Sequence, residues 1–175
     1  GNVEVSQRLV DTLLLAFESA ACSQGTMNNF VMGDNARSYY ETIGGGAGAG
    51  EGFAGASGVH VHMSNTAITD PEILEWRFPV RLNRFSLRTG SGGEGQWNGG
   101  DGLEREIEFL EPQTVSLLGQ HRLEQPYGMN GGKAGASGSQ IIIRANGVEE
   151  GLEYAAHTEV KKGDRLVIKT PGGGG

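Results

Sequence analysis

The spacing of apolar side chains predicts one long helix near the start of the chain. Between about residues 6 and 21, seven apolar residues recur at intervals of three and four: Leu9, Val10, Leu13, Leu14, Phe17, Ala20 and Ala21. This is the period of one face of an amphipathic α-helix. Ser6 is a suitable N-cap, because its hydroxyl can accept a hydrogen bond from a free backbone N–H.

Further along the chain, apolar and polar residues alternate in short runs, which is typical of β-strands with one buried face. The runs are residues 30–32, 60–64, 78–88, 103–110, 114–119, 140–144 and 166–169. Turn-forming residues separate them, and Asn146-Gly147 is a strong hairpin signal. We therefore predict an α+β fold of mostly short antiparallel strands, arranged as a sandwich or barrel, with one main N-terminal helix packed on it.

Glycine is the outlier of the composition, at 31 of 175 residues, where about 7% is usual. It is concentrated around residues 41–66, 91–102 and 127–138, without the strict three-residue period of collagen. Apolar runs between these segments argue against disorder. We predict glycine-rich loops in a folded protein, with residues 1–35 as a helical segment and 36–175 as a glycine-rich, mainly β module.

The formal charge of −7, with scattered basic residues, disfavours nucleic acid or an anionic membrane as a partner. Cys22 is the only cysteine, so no disulfide can form within the chain, which fits a reducing cytoplasm. No apolar run approaches the ~20 residues of a membrane-spanning helix. We expect a cytoplasmic protein.

Two patterns in the first glycine-rich stretch suggest binding chemistry. His60 and His62 would point to the same side of a strand, where two imidazoles can bind one metal, with Glu41 or Asp70 adding oxygen ligands. The alternative is a substrate, interface or structural role for the same histidines. The glycines at 50, 52 and 55 have dinucleotide-loop spacing, but a strand-like run follows where that motif needs a helix. Nucleotide binding there is disfavoured.

Several longer segments resemble the hydantoinase B family. In chain order they are GNVEVSQRLVD, SQGTMNNF, YETIGGGAGAG, SGVHVHMSNT, LEWRFPVRLNRFSLR, SGGEGQWNGGDGLEREIEFL and GDRLVIKTPGGGG. That family includes the B subunit or domain of ATP-dependent 5-oxoprolinase, N-methylhydantoinase B and, more distantly, the large subunits of acetone carboxylase. The resemblance covers nearly the whole chain. It implies that residues 1–175 are the C-terminal fragment of a longer hydantoinase B-type polypeptide.

The resemblance implies an ATP-coupled cyclic amidohydrolase that converts 5-oxoproline or a hydantoin to the open-chain amino acid. A partner A-type subunit or domain would bind ATP and Mg²⁺ and activate the ring oxygen, after which metal-assisted water would open the ring. The divalent metal, Zn or Mn, would be bound by the N-terminal remainder of the polypeptide, and no metal is expected in this fragment. The alternatives are an acetone-carboxylase-like subunit and a non-catalytic assembly module for the A partner.

Within this chain, the stretch that joins the glycines to the histidines is the predicted contribution to a site. Backbone N–H groups can stabilise an anionic intermediate, and glycine allows them to come close to it. We predict a substrate or interface loop at Gly44, Gly45, Gly46, Gly48 and Gly50. His60, His62 and Asn65 are the catalytic candidates beside it.

Overall fold

The computed structural model describes residues 3–175, which contain two α-helices and nine β-strands. The helices are α1 (Val3–Ala16) and α2 (Pro71–Arg77). The strands are β1 (Asn29–Gly33), β2 (Ser38–Thr42), β3 (Val80–Arg88), β4 (Gly102–Phe109), β5 (Gln113–Leu118), β6 (Ser139–Ile143), β7 (Glu149–Gly151), β8 (Ala155–Val160) and β9 (Arg165–Lys169). Over this range neither helix has the length and hydropathy needed to cross a bilayer.

The strands form two antiparallel sheets, which confirms the predicted α+β fold in its sandwich form. The first sheet has the order β2-β1-β5-β8, and the second has the order β3-β4-β9-β6-β7. Side chains of both sheets meet in one core: Phe30, Met32, Val115 and Leu117 from the first, and Ile107, Phe109, Ile142, Leu166 and Ile168 from the second. Both sheets stay open at their edges in the described part of the chain, so no closed barrel forms there.

Most strands lie where alternation predicted them. Strand β3 is an edge strand, and Pro79 directly precedes it. The Asn146-Gly147 signal is also confirmed, because β6 and β7 pair on either side of it. The strand predicted at residues 60–64 is wrong: His62 has a φ of 53° and the segment turns there. Strands β2, β7 and β8 were missed. Strand β7 has only three residues, and in β8 only Val160 is buried, so neither shows a clear apolar alternation.

Helix α1 ends five residues earlier than its apolar pattern predicts, at Ala16. Glu18 takes a φ of 51°, the amide of Ser19 donates to Leu14 O, and the amide of Glu18 donates to Leu15 O. These are the two hydrogen bonds of a Schellman cap, which stops a helix. The predicted N-cap is also wrong, because Ser6 lies inside α1.

The orientation of α1 is the reverse of a usual amphipathic helix. The polar side chains of Gln7 and Asp11 are 0% and 3% exposed, whereas Leu9, Leu13 and Phe17 are 56%, 46% and 74% exposed. A surface helix normally buries its apolar stripe. Polar contacts of Gln7 and Asp11 therefore hold α1 on the rest of the chain.

Candidate functional site

The glycine-rich segments pack side by side as extended chains next to the sandwich. We call this region the glycine bundle; it comprises residues 21–24, 44–50, 55–58, 91–94, 98–101, 126–136 and 171–175. Residues 171–175 lie at its centre, because they hydrogen-bond to every other segment of the bundle except 55–58. The segments predicted as loops are thus part of an ordered layer.

Hydrogen bonds between these segments recur every three residues. The amides of Gly46 and Ala49 donate to the carbonyls of Pro171 and Gly174. The same spacing recurs at three other places. The amides of Gly172 and Gly175 donate to the carbonyls of Ala136 and Lys133, and those of Ala21 and Gln24 donate to the carbonyls of Ala49 and Gly46. The amides of Gly55 and Gly58 donate to the carbonyls of Asn98 and Asp101. Three residues per turn is the period of the polyproline II helix, which has no internal hydrogen bonds. Each segment must therefore satisfy its backbone groups through its neighbours.

Close approach of these chains explains why so many positions are glycine. A Cβ added at Gly173 would lie 1.9 Å from Ala47 O, and one added at Gly174 would lie 1.9 Å from Tyr127 O. Side chains do not fit at such distances from backbone atoms. The same crowding rules out a side chain at Gly46, whose added Cβ would lie 2.0 Å from Gly100 O. The glycine density therefore has a structural cause.

The predicted loop of Gly44, Gly45, Gly46, Gly48 and Gly50 lies inside this bundle. The amide of Gly45 donates to Val59 O, that of Gly46 to Pro171 O and that of Gly50 to Phe53 O. An amide that is already bonded to a carbonyl is not free to bind an oxyanion. The structure thus places this loop at an interface between segments of the chain, and a role towards substrate stays a prediction.

A set of buried polar contacts, which we call the polar seam, joins α1 to the turn at residues 60–66. Asp11 accepts hydrogen bonds from the amide and hydroxyl of Ser23, both at 3.0 Å, and lies 2.8 Å from His62 Nε2. The side chain of Gln7 donates to Ser64 Oγ and accepts from the amide of Met63. The seam fixes the turn against the helix.

The three catalytic candidates are close in sequence but have different surroundings. The side chain of His62 is only 15% exposed and pairs with Asp11, while Asn65 is exposed. His60 Nε2 lies 3.2 Å from Thr66 Oγ1, which in turn contacts Thr42. Burial lowers the pKa of His60, and its Nδ1 is buried without a hydrogen-bond partner.

The surroundings of His60 and His62 do not supply the shared metal site that was one of the alternatives suggested by their spacing. Glu41 and Asp70, the other suggested ligands, have partners elsewhere: Glu41 pairs with Arg105 in the core, and Asp70 caps α2. Within residues 3–175, no three side chains of His, Cys, Asp or Glu are grouped so that they could hold a metal ion.

Cys22 and His121 form a second buried cluster behind the polar seam. Cys22 Sγ lies 3.8 Å from His121 Nε2, and the guanidinium of Arg8 contacts the same nitrogen. Burial, followed by the charge of Asp11, raises the pKa of the Cys22 thiol well above its ordinary value. Burial, reinforced by Arg8, lowers the pKa of His121. The thiol therefore stays protonated and unreactive, which fits a structural role.

The core of the sandwich contains an ion pair that the sequence did not suggest. Arg105 of β4 is 1% exposed and pairs with Glu41 of β2, which also accepts a hydrogen bond from Tyr39. Burial raises the pKa of Glu41, against the lowering effect of Arg105. Arg105 also lies over the ring of Phe85, 5.5 Å from its centroid. The pair links the edge strand β2 of the first sheet to the inner strand β4 of the second.

An open cleft of about 550 Å³ lies at one end of the glycine bundle. Its lining includes Glu18, Glu51, Trp97 and Asn130, together with backbone of the bundle. None of the sequence-predicted site residues except Gly50 lines it. The cleft and the 60–66 turn are therefore separate features of the surface.

Sequence reasoning missed the residues that organise the turn, above all Gln7, Asp11 and Ser23. The available signal was the four-residue spacing of Gln7 and Asp11, which places two polar side chains on one face of a helix. In an amphipathic helix that face is normally assigned to solvent. Contact with Ser23 and Met63 depends on tertiary structure, for which the sequence carries no short motif.

Comparisons with a family model and with curated proteins match this chain to the same family. The model of the family described as hydantoinase B/oxoprolinase matches residues 1–175. The chain is 52% identical over 175 residues to 5-oxoprolinase 1 of Arabidopsis thaliana and 47% identical over 175 residues to 5-oxoprolinase of Dictyostelium discoideum. Both alignments cover 100% of this chain and 14% of the relative. The chain thus spans about one seventh of the length of these relatives.

A solved structure shares the fold. The ATP-dependent caprolactamase from Pseudomonas jessenii superposes with a TM-score of 0.74 at 24% identity, over 92% of this chain and 31% of that chain. At this identity the likeness concerns the fold alone. The family match extends over every residue of the chain, and on that basis the chain belongs to the hydantoinase B/oxoprolinase family.

Proposed function

We propose that the full-length protein containing this chain is an ATP-coupled hydrolase of cyclic amides that converts 5-oxoproline to glutamate. The observation that carries this proposal is the 52% identity to Arabidopsis 5-oxoprolinase 1 over all 175 residues. Because the chain spans 14% of that relative, the activity belongs to the whole protein. In this proposal residues 1–175 are the C-terminal part of the polypeptide, and the reduced Cys22 fits a cytoplasmic location.

The partner and cofactors in this proposal lie outside residues 1–175. A hydantoinase A-type subunit or domain binds ATP and Mg²⁺, and the N-terminal remainder of the polypeptide binds a divalent metal, Zn or Mn. The described residues offer no group of three potential ligands, so the metal does not fit residues 3–175.

The contribution of this chain is to present the 60–66 turn on a rigid support. The glycine bundle fixes the backbone on one side of the turn, and Gln7 and Asp11 fix it on the other. Burial lowers the pKa of His60, so its imidazole is neutral near pH 7 and acts as a hydrogen-bonding group. The exposed amide of Asn65 offers both a donor and an acceptor, which suits a lactam ring.

The reaction class is tested with the full-length protein, its A-type partner, ATP and Mg²⁺. Separate assays measure glutamate from 5-oxoproline, ring opening of a hydantoin, and carboxylation of acetone with bicarbonate. We expect ATP-dependent glutamate release. Carboxylation of acetone without opening of either ring would instead support the acetone-carboxylase alternative.

The role of the turn is tested by replacing His60, His62 and Asn65 together with alanine in the full-length protein. If the turn faces substrate, turnover falls by about 100-fold or more while the partner still binds. Exposed Glu51→Gln is the control, with unchanged turnover expected. Full turnover and partner binding in the triple variant would leave this chain as an assembly module.

A further inference from the structure

We propose that the outward side of α1 is a docking surface for a helix from the remainder of the same polypeptide. Leu9, Leu13 and Phe17 form this surface, which we call the outward ridge. They are 56%, 46% and 74% exposed. The inference concerns assembly of the polypeptide and does not depend on which substrate the enzyme takes.

Helix geometry places the ridge opposite the polar seam. At 100° per residue, Leu9 lies on the far side of the helix from Gln7 and Asp11, which are two positions before and after it. Leu13 continues the same side, and the amide of Phe17 bonds to Leu13 O, so the helical spacing extends to Phe17. Residues at four-residue intervals make the ridges that fit into grooves of a second helix. The ridge therefore has the form of a helix-packing surface.

The polar seam prevents α1 from burying this ridge on its own chain. Rotation of the helix would take Asp11 away from the amide and hydroxyl of Ser23, and Gln7 away from the amide of Met63. Buried groups that lose such bonds destabilise a fold. The outward position of Leu9 and Leu13 is thus fixed by satisfied hydrogen bonds, and an exposed apolar ridge of this kind marks an interaction site.

The length of the relatives indicates what covers the ridge. Two 5-oxoprolinases align with this chain over only 14% of their length. In the caprolactamase, the part that shares this fold makes up 31% of the chain. In each of them this fold is a part of a much longer single polypeptide. An apolar surface that could cover the ridge is therefore available on the same molecule. Covalent connection gives that surface a high effective concentration near the ridge.

The test is cysteine labelling in the full-length protein, prepared without its A partner. Leu9→Cys and Leu13→Cys are compared with Val148→Cys, a control at a hairpin position that is 51% exposed. Maleimide labelling is followed for each peptide by mass spectrometry at several protein concentrations. We expect Leu9→Cys and Leu13→Cys to react at least ~10-fold more slowly than the control, since labelling requires local opening. The difference is independent of concentration.

Three outcomes would overturn the proposal. Protection that develops only after the A partner is added assigns the ridge to a subunit interface. Protection that grows with protein concentration assigns it to a second copy, and rapid labelling under all conditions leaves it solvent-exposed. Unmodified protein gives a second readout: hydroxyl-radical oxidation of Phe17, normalised to its rate in urea-unfolded protein, is strongly reduced if the ridge is covered.

Discussion

At the scale of single residues, the buried His121 links stability to pH. Its pKa is lowered from the ordinary value of 6.5, first by burial and then by Arg8. As pH falls through 6.5, the unfolded chain takes up a proton at this imidazole before the folded chain does. The unfolded state then binds more protons, so the free energy of unfolding falls as pH falls.

We therefore predict that His121→Gln reduces the loss of stability between pH 7 and pH 5. Glutamine keeps an acceptor for Arg8 but does not titrate. The full-length protein is unfolded with urea at several pH values, and hydrogen exchange in peptides from residues 3–28 reports the unfolding. The quantity compared is the urea concentration at the midpoint. His60 also has a lowered pKa, but it is present in the wild type and in His121→Gln, so its contribution cancels when the two proteins are compared. Parallel pH profiles for the two proteins would contradict the prediction.

Single residues also show how far sequence reasoning reaches. The absence of a disulfide within the chain was predictable, because Cys22 is its only cysteine. The partners of His62 were not, since Asp11 is 51 positions away and the turn at His62 depends on a positive φ. Unlike a local cap such as Asp70 at α2, a hydrogen bond between distant segments depends on the tertiary fold and has no fixed spacing in the sequence.

At the scale of elements, the sandwich was easier to predict than the glycine bundle. Strand β4 shows its buried face through Leu103, Ile107 and Phe109, which alternate with partly exposed positions. The buried Arg105 is the exception on that face. In the bundle the period of three appears in hydrogen bonds between segments. Glycine is required only where a neighbouring backbone comes close, so the sequence shows its abundance without a repeat.

The bundle gives a direct test of this explanation. Gly173→Ala places a Cβ 1.9 Å from Ala47 O, and we predict that it destabilises the chain by about 3 kcal/mol, the upper end for overpacked interiors. Gly151→Ala is the matched control, because an added Cβ there meets no atom within 4 Å and its φ is not in the left-handed region. We expect the control to change the stability by less than about 1 kcal/mol.

Both variants are compared by the rate of hydrogen exchange in peptides that cover residues 44–50 and 91–101 of the full-length protein. Faster exchange in Gly173→Ala alone supports the packing explanation. Equal exchange in the two variants would mean that the bundle tolerates a side chain at its centre.

At the scale of the whole molecule, the sandwich and the bundle are continuous. Strand β4 begins at Gly102, directly after the bundle segment 98–101, and β9 ends at Lys169, just before segment 171–175. Because β4 and β9 pair with each other near the middle of the second sheet, the centre of the bundle extends the centre of the sandwich. We therefore expect the two layers to open as one cooperative unit.

Thr170 lies at this junction and provides the test. It is fully buried, its hydroxyl accepts a hydrogen bond of 2.7 Å from the amide of Leu103, and its own amide donates to Leu103 O. Thr170→Val keeps the shape but leaves a buried N–H without a partner, which costs about 1–3 kcal/mol. Thr114→Val, at an exposed position of β5, is the control, and we expect a change within about 0.5 kcal/mol.

The pattern of the effect decides whether the layers are coupled. If the molecule opens as one unit, Thr170→Val accelerates hydrogen exchange by the same factor in β9 and in residues 171–175, because both report the same opening reaction. Acceleration confined to residues 171–175 would show that the bundle opens alone while the sandwich stays folded. The same acceleration of exchange in both layers would mean that the sandwich core supplies part of the stability of the glycine bundle. Glycine has no side chain to bury, so the bundle cannot gain that stability from its own residues.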